Sequence, residues 1–222
     1  MISVGVHSRF KRRFNLLARK LKEVVLASGL MVYGHTMTSR NLNIFKAETS
    51  RNPAEYPVLG ILALGEAHGY DICRRLQKGI GPIWKLGKSQ VYALLTRLER
   101  DGLVAHERVG QENLPARNIF SITPTGEAVF REWIDAPVNH VRDMRLEFLT
   151  KLWFARQADP DLERTLIEQQ LAVCGIKVKT LEALKASSST EIESRSIGFR
   201  LTMVHASVSW LEELLVQAEP QR

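Results

Sequence analysis

The chain has 222 residues, 45% hydrophobic and 25% charged, with a formal net charge of +7 at pH 7. That length accommodates two small domains, each with its own core, and the balance excludes a disordered, collagenous or membrane-embedded chain. A basic excess points to an anionic partner, yet residues 1–52 hold 10 Lys or Arg against 2 acids and residues 53–222 hold 21 against 22, so the excess is all N-terminal.

From Arg9 to Leu26 the pattern makes a basic amphipathic helix, with Phe10, Phe14, Leu17, Leu21 and Val24 three or four residues apart. Three readings compete: an arm that meets DNA backbone or a membrane surface, a helix packed on the body, or an extension upstream of a true start at Met37. The apolar part, Val24 to Tyr33, is interrupted by Ser28 and Gly29 and is too short to span a bilayer. No small-residue cleavage site follows, which argues against secretion. Residues 34–54 read as a polar linker.

At Pro57 compact elements begin. Pro57 suits the first position of a short helix carrying Val58, Leu59, Ile61, Leu62 and Leu64. Gly65 to Gly69 form a turn. A second helix, Tyr70 to Lys78, turns Ile72, Cys73 and Leu76 inward, and Gly79, Gly81 and Pro82 end it. In a third, Lys88 to Arg100, Val91, Leu94, Leu95 and Leu98 define one buried stripe, with Gly102 as the stop. Leu103 to Val109 and Asn118 to Thr123 read as two strands around the loop Gly110 to Arg117. Thr123 and Pro124 start a fourth helix that runs to Asp135.

Pro137 separates the halves. Beyond it Val141, Met144, Phe148, Leu152 and Ala155 form a stripe ended by Asp159 and Pro160, and Ile167, Leu171, Cys174, Val178 and Leu181 form another. Thr190 and Glu193 have capping-box spacing. Ile197, Leu201, Val204, Val208, Leu211 and Leu215 then repeat every 3.5 residues, a coiled-coil seam of the kind that generally needs a partner helix.

Three helices and a two-stranded wing in this order make a winged helix-turn-helix. With its stripe buried, the third helix shows Ser89, Ala93, Thr96, Arg97 and Arg100 outward. A helix entering the major groove needs small or hydrogen-bonding groups at its first turn and cations that meet phosphate; Lys88, Ser89, Gln90, Tyr92 and Arg97 supply them. The competing bland reading packs Tyr92 between helices and pairs Arg97 with an acid. Arg108 and Arg117 flank the wing loop, where they would clamp a sugar-phosphate strand. His68 would donate to phosphate from a helix N-terminus, or serve as a turn residue.

Cys73 and Cys174 sit among apolar neighbours without metal-ligand spacing, as buried thiols of a reducing cytosol do. The six histidines are scattered, with no nucleophile-base, HExxH or phosphate-loop pattern, so the chain reads as no enzyme, with no cofactor and no metal.

The runs YPVLGILALGEAHGYDICRRL, WKLGKSQVYALLTRLERDGLV and PARNIFSITPTGEAVF also resemble the PadR family of bacterial transcriptional regulators. Its hallmarks here are the His68-Gly69-Tyr70 turn, Trp84, the recognition-helix residues Ser89, Val91, Tyr92 and Leu95, Glu99 to Leu103, and Thr123 with Gly126. The likeness extends more weakly through Arg145 to Trp153 and Trp210 to Leu214, covering residues 56–217. It departs at Ile119, Phe120 and Ser121, where a basic, tyrosine-rich run is usual, which puts wing contacts in doubt.

The resemblance implies a mostly α fold with a small β-wing and a C-terminal antiparallel helical dimerisation domain whose helices exchange between protomers. It favours Lys88, Ser89, Tyr92 and Arg117 as DNA contacts. Phe148 and Leu152 join the seam residues in the dimerisation set. The expected division is a basic extension over 1–52, the DNA-binding domain over 53–136, the dimerisation domain over 137–217 and a tail over 218–222. Trp133, Phe148, Trp153, Phe199 and Trp210 would line a pocket for a small aromatic effector where domains and protomers meet; core packing is the competing reading. The chain is thus expected to be a cytoplasmic homodimeric repressor on double-stranded operator DNA, without a membrane partner. Two rivals remain: a winged-helix protein-interaction module, which the near-neutral charge of residues 53–135 favours, and a nucleoid-type binder without sequence preference.

Overall fold

The computed structural model describes residues 51–111 and 114–217, those from 109 to 117 by backbone alone. The helix read over Arg9 to Leu26, most of the linker and the tail lie outside the described residues. The described chain divides into two compact units: residues up to Arg75 with Leu86–Glu127, and Leu76–Lys85 with the chain from Ala128 onward.

In the first unit, helix α1 (Glu55–Ala63) is buried along its whole length, as an apolar run without a polar face must be. Pro57 falls in its first turn, where a missing N–H breaks no helical bond. Gly65, at φ 142°, lets the chain reverse. It enters strand β1 (Ala67–His68), which pairs antiparallel with β3 through Ala67 opposite Phe120 and His68 opposite Ile119. The turn expected at Gly65 to Gly69 thus holds a short strand, whose two residues leave no alternation to read.

Helix α2 (Gly69–Gly79) leads to α3 (Lys88–Arg100), whose Val91, Leu94, Leu95 and Leu98 are all buried. Gly102, at φ 71°, ends it in the left-handed conformation that glycine adopts without strain. Strands β2 (Val104–Gln111) and β3 (Leu114–Ile122) form the wing, in register from Val104 opposite Ile122 to Val109 opposite Arg117, with an irregularity between Val109 and Gln111. The sheet order is β1-β3-β2. Helix α4 (Pro124–Asp135) starts where the Thr123 hydroxyl accepts from the Gly126 N–H at 3.1 Å and donates to the Gly102 carbonyl at 2.8 Å. A Cβ on Gly126 would lie 2.1 Å from the Leu103 carbonyl oxygen, so the helix start is fitted closely to the wing.

The second unit is helical. Val141 to Ala155, expected as one helix, is a short α5 (Val141–Asp143), a π-helical turn (Met144–Phe148) and α6 (Leu149–Ala158). A π-turn changes the facing of everything after it by one residue, which the apolar spacing alone does not reveal. On α6, Lys151, only 2% exposed, donates to the Ala136 carbonyl and pairs with Glu147, both at 2.8 Å, with its ammonium 5.0 Å from the centre of the Trp133 ring. Gln170 holds both backbone groups of Val138. These two side chains satisfy the polar backbone of the segment after α4, which burial would otherwise penalise.

Helix α7 (Pro160–Ala186) begins at Asp159, whose carboxylate accepts from the Asp161 N–H at 2.9 Å, and forms a hairpin with α8 (Glu191–Gln217). Within the protomer, where α7 packs along α8, Ile197, Leu201, Val204 and Leu211 are already buried.

Candidate nucleic-acid interface

Helix α3 carries the candidate site. It starts at Gly87, which has extended backbone and no side-chain cap, so the first-turn N–H groups remain available to an anion. Lys88, Ser89 and Gln90 are exposed on that turn. The Lys88 ammonium lies 5.6 Å from the centre of the Tyr70 ring and takes part in none of the ion pairs found among the described residues.

One turn on, Tyr92 is 48% exposed and its ring lies over Gly69. A Cβ at Gly69 would sit 2.6 Å from the Tyr92 Cε1 and 2.9 Å from its hydroxyl. The same turn is tied to the wing, with the His68 Nδ1 3.2 Å from the Asn118 carbonyl. The His68-Gly69-Tyr70 turn thereby seats the ring beside the start of α2. Thr96, also exposed, donates its hydroxyl back to the Tyr92 carbonyl at 3.1 Å, which leaves its oxygen lone pairs outward.

Arg97 departs from the free outward cation the sequence suggests. Its Nη1 lies 3.3 Å from Glu55, a carboxylate only 1% exposed that also pairs with Arg51 at 3.0 Å. A buried carboxylate requires such partners, so Arg97 is committed to holding α1 against α3. Arg100 pairs with Asp101 at 3.1 Å. Nothing local marks Glu55 for this role, since it lies 42 positions before Arg97.

On the wing, Arg108 is exposed on β2, while the side chain of Arg117 lies outside the described residues. His106 bonds to Glu99 of α3 and its ring stands 5.6 Å from that of Phe120. This pair, which the sequence reading did not anticipate, ties wing to helix. Between them runs a groove of about 980 Å³ walled by Tyr70, Tyr92, Thr96, His106 and Arg108. Burial pushes the Cys73 thiol above its usual pKa, with Lys88 opposing. That lowers its thiolate fraction.

In the second unit the expected pocket residues fall into two aromatic groups and one exposed ring. Trp133 meets Phe130, Phe130 meets Phe154, and Phe154 meets Trp153, whose ring also covers Gly79, where a Cβ would lie 2.4 Å away. Trp210 packs edge-on against Phe148, whereas Phe199 is 69% exposed. In the dimerisation set, Phe148 and Leu152 are buried in the protomer with the four seam residues above, and Val208 and Leu215 are half-buried. The large apolar groups left outward on the hairpin are Ile176, Leu184, Ile192, Phe199, Met203 and Val216.

Three helices packed on an antiparallel sheet whose last two strands form a wing define a winged helix-turn-helix protein. Residues 58–132 match the Transcriptional regulator PadR-like family. The chain is similar to the negative transcriptional regulator PadR of Bacillus subtilis, 26% identical over 176 residues that make up 74% of this chain and 97% of the relative. It is also similar to a Mycobacterium tuberculosis protein described as a probable transcriptional regulator, 28% identical over 43% of this chain and 50% of that one. Among solved structures, Bacillus subtilis PadR in complex with operator DNA aligns at a TM-score of 0.40 with 22% identity, over 76% of this chain and 99% of that chain. No helix among the described residues is long and apolar enough to cross a membrane.

Proposed function

We propose that this regulator binds double-stranded operator DNA as a homodimer, reading base edges with α3 and repressing from that site in the cytoplasm. The observation that carries the reading is the outward face of α3: Lys88, Ser89, Gln90, Tyr92 and Thr96 are exposed above a fully buried stripe. None of these is an acid, and all but the lysine present small or neutral polar groups of the kind that meet base edges. Lys88 and Arg108 are suited to phosphate, and Arg117 joins them by resemblance. Arg97 drops to a supporting role because Glu55 occupies it. Repression follows the name of the Bacillus subtilis relative.

The DNA-reading part is assigned to residues 53–136 and dimerisation to 137–217. The dimer contact falls on the outward hairpin face that bears Ile192, Phe199 and Met203, because burying large side chains against a second copy removes apolar area from water. A small aromatic effector acting through Trp133, Trp153, Phe199 and Trp210 draws no support from the protomer, where the tryptophans serve in packing and Phe199 stands apart.

The test is a selection from random duplexes followed by titration of the enriched sequence. Enrichment of one palindromic motif, bound as a dimer, supports the reading. Recovery of no motif, together with binding that is insensitive to salt, would instead promote the protein-interaction module.

A further inference from the structure

Recognition helix and wing are joined through the backbone at one end. After α3 the chain turns at Gly102, at φ 71°, and the Leu103 N–H donates to the Leu98 carbonyl at 2.9 Å. Beyond that turn the setting of β2 against α3 depends on side chains. Among the described residues, the one side-chain hydrogen bond that joins β2 to α3 runs between His106 and Glu99. A carboxylate only accepts, so the imidazole Nδ1 donates.

The pair stands at the groove described above. Tyr92, Leu95, Thr96 and Glu99, spaced i, i+3, i+4 and i+7, share one face of α3 and line one wall. On the other side His106 and Arg108, two residues apart on β2, share one face of that strand and line the groove as well. His106 lies opposite Phe120 in the β2–β3 register, its ring 5.6 Å from the phenyl ring, so the imidazole is held between Phe120 and the Glu99 carboxylate. With side chains 35% and 38% exposed, such a pair adds little to folding free energy. What it fixes is the place of the groove face of β2. Arg108 follows about 7 Å further along that face, exposed and in none of the ion pairs found among the described residues. Tyr92 lies about 10 Å back along the helix from Glu99.

We infer that Glu99 and His106 are positioning residues for DNA binding: their hydrogen bond sets the wing against α3 so that Arg108 meets a backbone phosphate while Tyr92 and Thr96 face the bases. The inference rests on the DNA-binding reading above and gives that reading a mechanical part. Both residues act through Arg108 and not through contacts of their own. Cation and base-reading groups sit on different elements, and a fixed distance between them lets one docking pose satisfy both.

The test is a double-mutant cycle in the full chain. Native protein, His106→Leu, Arg108→Ala and the double variant are titrated against the selected operator at one salt concentration. Leucine keeps an apolar contact for Phe120 and removes only the donor. Arg108→Ala alone should weaken binding about tenfold, as loss of one charge-assisted contact does. In the His106→Leu background it should cost less than about twofold, because the guanidinium has already lost its place. His106→Asn, whose amide nitrogen stands where Nδ1 stood, should recover most of the affinity that His106→Leu loses, and Glu99→Gln, which keeps a carbonyl acceptor, should bind better than Glu99→Ala. Thermal midpoints should stay near the native value throughout. If His106→Leu unfolds, Glu99→Ala breaks the same bond from the helix side and carries the cycle. An Arg108→Ala loss of equal size in both backgrounds, or His106→Asn no better than His106→Leu, would overturn the inference and leave the regulator reading standing. A native chain without operator preference would overturn the regulator reading, and this inference with it.

Discussion

Helices α3 and α8 each bury one apolar stripe, Val91, Leu94, Leu95 and Leu98 in the first and Ile197, Leu201, Val204 and Leu211 in the second. They differ on the side turned away from the core. Outward, α3 shows Lys88, Ser89, Gln90 and Thr96 around a half-exposed Tyr92, whereas α8 shows Ile192, Phe199, Met203 and Val216. The first surface suits a hydrated polyanion and the second an apolar partner. The stripe that makes each helix fold therefore says nothing of what the helix is for; the opposite face carries that information.

The largest expected effect separates the two faces of α8. Leu201→Asp places a charge in the protomer's own interior and should cost about 4 kcal/mol of folding free energy, read as loss of the cooperative urea transition. Phe199→Asp should leave that transition in place and weaken dimerisation at least a hundredfold, about 3 kcal/mol, by sedimentation velocity. A dimer unaffected by Phe199→Asp would move the interface elsewhere.

Within the winged-helix unit, Glu55→Ala should destabilise by about 3 kcal/mol, because it leaves Arg51 and Arg97 without the buried carboxylate they hold. Arg97→Ala should cost only about 1 kcal/mol, since that side chain is 48% exposed, with little change in the operator preference of the folded fraction. A large selective loss of operator binding on Arg97→Ala would return it to the reading face.

Smaller effects are expected on α3 itself. Tyr92→Ala and Lys88→Ala should each lower operator affinity about tenfold, about 1.4 kcal/mol, without moving the thermal midpoint. Gly69→Ala should mimic Tyr92→Ala in part, because its methyl would occupy the place of the Tyr92 ring.

The smallest effect concerns pH. Burial holds the Lys151 ammonium below its ordinary pKa of 10.5, with Glu147 and Asp143 opposing. Between the folded and unfolded values the unfolded chain binds more protons, so this group makes stability rise with pH in the window just below 10.5. Lys151→Met should abolish that rise in urea denaturation between pH 8 and about 10.5. An undiminished rise would assign it to other groups.

Much of the fold was legible because its signals are local. The α3 stripe and the Thr123 cap each declare themselves within a dozen residues, and Pro124 to Asp135 is the helix the sequence suggests; the two wing strands do so only in part, since they continue to Gln111 and begin again at Leu114 where a loop from Gly110 to Arg117 is expected. What stayed hidden depends on partners distant in the chain or on geometry without periodicity. Two-residue β1 exists only by pairing with β3, and the π-turn at Met144 to Phe148 leaves the apolar spacing intact. The heptad pattern of α8 does not name its partner: four of its residues are buried within the protomer, while Val208 and Leu215 are half-buried. In the candidate site, the outward residues of α3 followed from its buried stripe. Glu55 and His106 did not, since their roles rest on Arg97 and Glu99 reached through the fold.

The central claim is that the outward face of α3 selects a DNA sequence. It is tested most directly by the ratio of affinities for the selected operator and for random duplex of equal length, at one salt concentration, in the native chain and in Tyr92→Ala. The account predicts a native ratio of at least about a thousand that falls about tenfold in the variant while random-duplex affinity is unchanged. Equal affinity of the native protein for both duplexes, or a ratio untouched by Tyr92→Ala, would contradict it.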